Sequence, residues 1–214
     1  ERDPTTGRCT DASVRGWVNE YYAKGVRHVF PIHNFENAFG APATWMNEIH
    51  VANRGIEGSW WQAEDCPGEE YGFKLNADPF TVFMTWIMSM FGFGVNDIPL
   101  QHAGDASCNA IGLSPLGAAL IDQMIQRGMI IDIDHMSSRA LDETLALAER
   151  VQPPYPVAAS HVQFFELNQE PIRHERMRTR QQLRRIRNNG GMIAAMLKDD
   201  RQDTDDIGKK FNVP

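Results

Sequence analysis

The chain has 214 residues, a formal net charge of −7 and a sequence pI of about 5.5. Its hydrophobic content of 42% and charged content of 23% are ordinary for a globular protein, and this length can bury a sizeable core. The acidic balance argues against nucleic acid as the main partner, because phosphate binding needs a basic face. No apolar run reaches the roughly 18 residues that a membrane helix needs, and no signal peptide pattern opens the sequence.

The first regular pattern is a helix followed by a strand. Residues 11–24 carry apolar side chains at helical spacing, with Asp11 or Ser13 as the expected N-cap. Gly25 is typical of the position just after a helix end. Residues 26–32 then have the character of a strand that ends at His33, a candidate metal ligand or substrate contact.

The pattern of a helix followed by a strand is absent from the sequence of residues 41–110, which we call the insert. Proline, glycine, asparagine and aromatic residues crowd together there. Within it, residues 80–91 are apolar almost all round and predict a buried helix, too short to cross a bilayer. We interpret the insert as a subdomain packed on the rim of the sheet. The alternatives are a lid over a functional site and a docking surface for another chain.

Regular order returns after residue 113. Helices are predicted over residues 114–127, 137–150 and 179–187, and strands over 129–133, 157–159 and 192–196. An arginine-rich stretch at residues 173–187 is interpreted as a solvated helix face. Because a helix precedes every predicted strand, all four strands of the chain should be parallel.

The whole chain, residues 1–214, is therefore predicted to be one α/β domain. About four βα units make a partial (β/α)8 barrel, and a small doubly wound sheet is the alternative. An open half-barrel would leave bare strand edges, so we expect the remaining half to come from the same chain or from another one.

Two histidines follow neighbouring predicted strands and are the strongest candidates for chemistry. His135 comes after the strand at 129–133, and His161 comes after the strand at 157–159. The carboxyl ends of parallel strands meet at one edge, where such folds place their ligands. Neutral imidazole binds zinc and similar ions, so the two histidines could share a metal. The alternative is that both are ordinary hydrogen-bonded histidines.

Other candidate ligands are weaker. On a continuous strand, Asp132 and Asp134 would point away from His135, unless the strand ends before Asp134. Glu57 could be a carboxylate ligand, but its place in the insert favours a surface turn. No GxSxG elbow, P-loop or HExxH sequence is present.

The three cysteines do not form a CxxC pair, so a structural zinc site is not predicted. A disulfide between Cys66 and Cys108 would close a long excursion of the chain and leave Cys9 over. The alternative is that all three thiols are reduced.

Several stretches, in this order and spacing, resemble the membrane (renal) dipeptidase family. They are Gly25-Val26-Arg27-His28-Val29 with His33-Asn34, Leu113-Ser114-Pro115-Leu116-Gly117, Gly128-Met129-Ile130-Ile131-Asp132, His135-Met136-Ser137 and Pro156-Val157-Ala158-Ala159-Ser160-His161. The resemblance covers roughly residues 14–40 and 111–196. The insert is much longer than the loop that the family usually has there.

The resemblance implies a metal-dependent hydrolase of amidohydrolase type, built on a (β/α)8 barrel, that cleaves dipeptides with two zinc ions. It implies that His135 and His161 bind the second zinc, that His33 contacts the substrate and that Arg176 binds the substrate carboxylate. The match at Arg176 is looser, because Met177 stands where the family usually has asparagine. It further implies a small peptide as substrate, a secreted, periplasmic or membrane-associated location, and a homo-oligomer as a further expectation.

Three family features are absent from these residues: a His-x-Asp pair on the first strand, a bridging glutamate, and a late aspartate that handles the catalytic proton. The sequence also lacks an initiator methionine and stops without a closing element. We therefore expect a central segment of a longer enzyme, inactive by itself.

Two other functions remain open at this stage. A non-catalytic barrel could serve as a binding or structural module in a larger assembly, which the long aromatic insert would suit. A related amidohydrolase could act on a lactone or another amide, because loops rather than the metal machinery set the substrate.

Overall fold

The computed structural model describes residues 9–67, 71–75, 83, 86–87, 89–90, 92, 106–168 and 172–196. Its helices are α1 (Asp11–Ala23), α2 (Asn47–Glu57), α3 (Pro115–Gln126), α4 (Ser138–Glu149) and α5 (Arg180–Asn188). Its strands are β1 (His28–Val29), β2 (Ala63–Asp65), β3 (Ser107–Asn109), β4 (Ile130–Ile131), β5 (Ala158–Val162) and β6 (Met192–Ala195), with a short 3-10 helix at Phe165–Leu167. None of the described helices is long and apolar enough to cross a membrane.

The predicted helices outside the insert are confirmed to within one or two residues. Each begins at a residue whose side chain caps the helix, and such residues can be recognised in the sequence. Ser114 and Ser137 accept hydrogen bonds from the backbone N–H groups three residues on, Gly117 and Ala140. Thr179 forms a reciprocal capping box at the start of α5. At α1 the N-cap is Thr10, not Asp11 or Ser13 as predicted, since Ser13 completes the capping box from inside the helix.

The strands outside the insert are parallel, as predicted. β1 pairs with β4 through His28 and Ile130, and β5 pairs with β6 through Ala158 and Met192. A parallel bridge between Asp132 and Ala158 joins the two pairs, so the strands follow one another in the order β1, β4, β5, β6. The helices pack in the same order, α1 on α3, α3 on α4 and α4 on α5. The prediction of an α/β fold is confirmed.

A hydrophobic cluster fills the space between these helices and strands. Its fully buried members include Ile121 and Met124 of α3, Ile131 of β4 and Leu141 and Leu145 of α4. The cluster is built from the segments on either side of the insert, which we call the βα region (residues 11–40 and 111–196). Burial of these side chains therefore orients α4 and places the ends of β4 and β5 side by side.

The insert has more regular structure than its sequence indicated. It contains α2, which was not predicted, and an antiparallel pair of β2 with β3. A disulfide joins Cys66 to Cys108, and Cys9 is free. Glu57 is the exposed last residue of α2 and is no ligand of the site described below.

The helix predicted over residues 80–91 lies largely outside the described residues. The described Phe83, Trp86 and Met90 are helical, but their side chains are more than half exposed.

Candidate metal and substrate site

The site begins where β4 ends. The strand stops at Ile131 rather than at residue 133, and the backbone turns before Asp134. His135 takes a left-handed conformation with φ of 68°, which a residue with a Cβ rarely adopts. Because the strand ends before Asp134, the exception named in the sequence analysis applies: alternation does not separate Asp134 from His135, and both lie against His161.

The imidazole rings of His135 and His161 face each other. Their Nε2 atoms are 2.7 Å apart, with the ring centroids at 4.8 Å. On the far side of the His161 ring, Nδ1 lies 2.9 Å from Oγ of Ser160 and 3.3 Å from Oδ2 of Asp134. Asp134 also accepts the backbone N–H of His161. Nδ1 of His161 is thus held by polar groups, while Nε2 of the same ring points at His135.

His135 is in its neutral form. Burial first, and then the positive charge of Arg176, lower the pKa of His135 to about 2. Nη2 of Arg176 lies 3.2 Å from Nε2 of His135, and because a guanidinium can only donate, this nitrogen accepts. Nδ1 of His135 is buried and has no hydrogen-bond partner within the described residues. Neutral imidazole is the form that binds metal ions, and a metal at Nε2 would take the lone pair that accepts from Arg176 in this structure.

His33 completes a cluster of three histidines. Its ring lies 4.2 Å from the ring of His135, measured between centroids. Partial burial, and then the nearby His161 and Arg176, lower the pKa of His33 below its ordinary value. Phe30, three residues before His33, makes edge contacts with the rings of all three histidines at 5.8–6.4 Å between centroids. The ring of Phe30 therefore contacts all three imidazoles and forms one wall of the site.

Arg176 reaches the cluster from the loop before α5. Its guanidinium lies 4.9 Å from the ring centroid of Trp45, in cation–π geometry, and only 8% of the residue is exposed. Burial lowers the pKa of Arg176, and the negative charge of Asp134 opposes that shift. The interpretation of residues 173–187 as a solvated helix face is therefore wrong at its start, because the loop turns Arg176 and Arg178 inward.

Glu175 fastens this loop to three other segments. Its carboxylate accepts backbone N–H groups of Thr44, Asn109 and Ser138 at 2.7–2.9 Å. Ser138 begins α4, so the carboxylate also sits at the positive end of a helix. Burial raises the pKa of Glu175 to about 7, against the lowering effect of these three hydrogen bonds.

The structure thus brings together all four predicted site residues, His33, His135, His161 and Arg176. The two histidines suit a metal ion as ligands, because their Nε2 atoms face each other and the outer nitrogen of His161 has polar support. Among the residues that the structure describes, no three His, Cys, Asp or Glu side chains converge as a ligand set.

Five further residues of the site were not predicted: Phe30, Trp45, Glu175 and Arg178, and His28, which pairs with Oδ2 of buried Asp132 at 2.7 Å. Alternation along the predicted strand places His28 and Phe30 on one face and His33 on the other, so it relates these two residues to each other but not to the site. Trp45, Glu175 and Arg178 lie in irregular segments and have no such periodicity.

The sequence pattern of the membrane dipeptidase family (peptidase family M19) matches residues 91–204, more than half of this chain. The chain belongs to this family, whose members are metal-dependent dipeptidases. The matched span contains His135, His161 and Arg176, whereas His33 lies outside it. No curated protein matches the chain.

Solved structures give weaker likenesses. A metallopeptidase from Rhodobacter sphaeroides, bound to a phosphinate mimic of L-Ala-D-Ala, is 23% identical over 39% of this chain and 21% of its own, with a TM-score of 0.34. The probable dipeptidase PvdM from Pseudomonas aeruginosa is 28% identical over 48% and 26%, with a TM-score of 0.34. An amidohydrolase from the same organism is 18% identical over 86% and 49%, with a TM-score of 0.33. The chain thus spans about a fifth to a half of these proteins.

Proposed function

We propose that the complete protein to which this chain belongs hydrolyses the amide bond of dipeptides at a zinc centre to which His135 and His161 contribute. The observation that carries the proposal is the 2.7 Å approach of the two Nε2 atoms beside His33 and Arg176. Membership of the dipeptidase family supports it. Two zinc ions are proposed for the complete site, with the remaining ligands on residues outside those described.

We propose that the βα region is half of a (β/α)8 barrel, which would support this role. Four parallel strands follow one another in chain order and their helices pack in the same order, which is the arrangement of half of a (β/α)8 barrel. In such barrels the active site lies at the carboxyl ends of the strands, where His33, His135 and His161 stand. We propose that the other half of the barrel comes from the same protein or from a partner chain.

Each residue of the site has a proposed task. His135 and His161, both presenting Nε2, hold the metal, which when bound supplies a water of lowered pKa and polarises the scissile carbonyl. Arg176 binds the free carboxylate of the dipeptide, and Trp45 holds its guanidinium in place. His33 donates a hydrogen bond to the carbonyl oxygen as negative charge develops there. The wall formed by Phe30 limits the access of water to the three rings.

The location that we propose is secreted, periplasmic or membrane-associated. The disulfide between Cys66 and Cys108 supports it, because such bonds persist in oxidising compartments.

The test is metal content and activity of the full-length protein. His135→Ala and His161→Ala should each bind zinc much more weakly and lose dipeptide cleavage, while His50→Gln, in the insert, should keep its metal. Retained zinc and activity in both site variants would refute the assignment. A panel of dipeptides and lactones separates a dipeptidase from a related amidohydrolase, and a wild-type protein without metal would favour the non-catalytic module.

A second test addresses Arg176. The unmodified enzyme should cleave a dipeptide with a free carboxylate at least tenfold better in kcat/KM than the same dipeptide amidated at its C-terminus. Arg176→Met should remove most of this preference. Arg184→Met, the same change at an exposed position of α5, should leave the preference unchanged.

A further inference from the structure

Arg178 is the most deeply buried cation among the described residues. Its exposed fraction is 0%. The polar sequence of the loop in which it lies, two residues after Arg176, would instead predict an exposed side chain. Burying a charge without partners is costly, so its contacts should reveal its task.

One nitrogen of Arg178 holds both sides of the turn that carries His135. Nη2 donates to the carbonyl oxygens of Ile133 and Met136, each at 3.0 Å. These carbonyls bracket Asp134 and His135. Nε and Nη1 of Arg178 have no hydrogen-bond partner within the described residues. The hydrogen bonding of this side chain is therefore concentrated on the turn.

The backbone of Arg178 is fixed to the other histidine's strand. Its N–H donates to Gln163 O at 2.8 Å, and its carbonyl accepts from Phe165 N at 3.0 Å, just beyond the end of β5. His161 lies in β5. A single residue thus ties the turn of His135 to the chain segment that follows His161.

Such a tie is needed because the turn is strained. A left-handed φ of 68° at a residue with a Cβ costs free energy and persists only where the surroundings enforce it. The burial of Arg178 is offset by negative charge nearby, since Asp134 and Glu175 both raise its pKa against the lowering effect of burial. Asp134 is in the same turn, so the cation and the turn stabilise each other.

We propose that Arg178 is a positioning residue that sets the separation and direction of the His135 and His161 rings for metal binding. This inference rests on the proposed function, because it assumes that the two rings share a metal ion. Arg178 does not touch the substrate or the metal. It acts through the backbone of the His135 turn.

The experiment measures zinc affinity of the full-length protein by competition with a chromophoric chelator, alongside circular dichroism and the His135 imidazole resonances of the metal-free protein. Arg178→Met should weaken zinc binding by about 10- to 100-fold, the usual loss for a residue that orients a ligand, and should shift the His135 resonances. Arg178→Lys should recover part of the loss, because one ammonium nitrogen can donate to two carbonyls. Arg184→Met should change neither quantity.

A double-mutant cycle removes the possibility of a merely structural effect. In the His135→Ala background, Arg178→Met should weaken zinc binding little further, because the turn no longer carries a ligand. Equal losses in both backgrounds, or unchanged His135 resonances in Arg178→Met, would overturn the inference. If His135→Ala and His161→Ala themselves leave zinc affinity unchanged, the proposed function has failed instead.

Discussion

The βα region and the insert are stabilised by different kinds of contact. The βα region has a continuous hydrophobic cluster between its helices and strands, to which no described residue of the insert contributes a buried member. The described part of the insert has separate buried apolar side chains such as Val51 and Trp61, and adds a disulfide, a short antiparallel pair and buried polar groups. Two of these polar groups, Thr44 and Asn109, are bound to Glu175. Apolar burial is non-directional and tolerates small shifts, whereas polar contacts require correct geometry.

The two regions also contribute different residues to the site. The βα region supplies the histidines at strand ends, where packing of the core fixes them. The insert supplies Trp45, which covers Arg176, and two of the three backbone donors that hold the neighbouring Glu175. If the contrast is correct, changes in the two regions should destabilise the protein to different degrees and by different routes.

The largest effect is expected from a cavity in the βα region. Leu141→Ala in α4 removes a fully buried side chain from the hydrophobic cluster and should lower the free energy of unfolding by about 4 kcal/mol. Leu147→Ala, the same change at a partly buried position of the same helix, should cost clearly less. Urea unfolding followed by circular dichroism measures both. Equal losses would mean that the cluster does not carry the stability of this region.

Acid should weaken the insert through His50. Its ring is buried between Trp60 and Trp61, and burial lowers its pKa from 6.5 to about 4. Because the unfolded chain binds this proton more readily, stability is complete above pH 6.5 and falls as the pH drops towards 4, by about 3 kcal/mol for this group. Comparing the urea midpoints of wild type and His50→Gln across this range isolates it. A parallel decline in both proteins would exclude His50 as the cause.

Glu175→Gln tests the polar link between the regions. The carboxylate faces three backbone donors, and an amide in its place points an N–H group at one of them, which should cost about 2 kcal/mol. Glu166→Gln is the matched control, because this exposed glutamate accepts one backbone N–H, that of Arg180. Chemical denaturation gives both values. A loss at Glu175 no larger than at Glu166 would show that the link is weak.

Trp45→Ala should have the smallest effect. Removing the ring beneath the Arg176 guanidinium should raise KM for a dipeptide about fivefold, close to 1 kcal/mol, with kcat nearly unchanged. Trp45→Phe, which keeps an aromatic face, should raise KM by less. A fall in kcat without a change in KM would assign Trp45 another role.

Much of the βα region could be predicted because its sequence and its structure share the same periodicities. Apolar residues at helical spacing and capping residues such as Ser114 gave the helices. The positions of His135 and His161 at matching ends of neighbouring strands indicated that they would meet. The limits of β4 could not be predicted, since Ile133 is as apolar as Ile131. What ends the strand is the His135 turn, whose carbonyls bond to Arg178, far along the chain.

The insert could be predicted much less well for the same reason. α2 contains buried His50 and Asn53 on its inner face, so polar residue types stand at positions where apolar side chains would mark a buried helix face. Glu175 and Trp45 are recognised as site residues only when segments distant in sequence are brought together. Contacts of this type leave no local pattern.

The disulfide also determines how the protein behaves when a protease cuts it. Cys66 and Cys108 are 42 residues apart, and every peptide bond between them lies inside a closed covalent ring. A single cut within that ring opens it but separates nothing, so the two pieces migrate together in a denaturing gel until a reductant is added. A chain nicked between Cys66 and Cys108 would therefore keep its histidine cluster and its loop arginines in one covalent molecule.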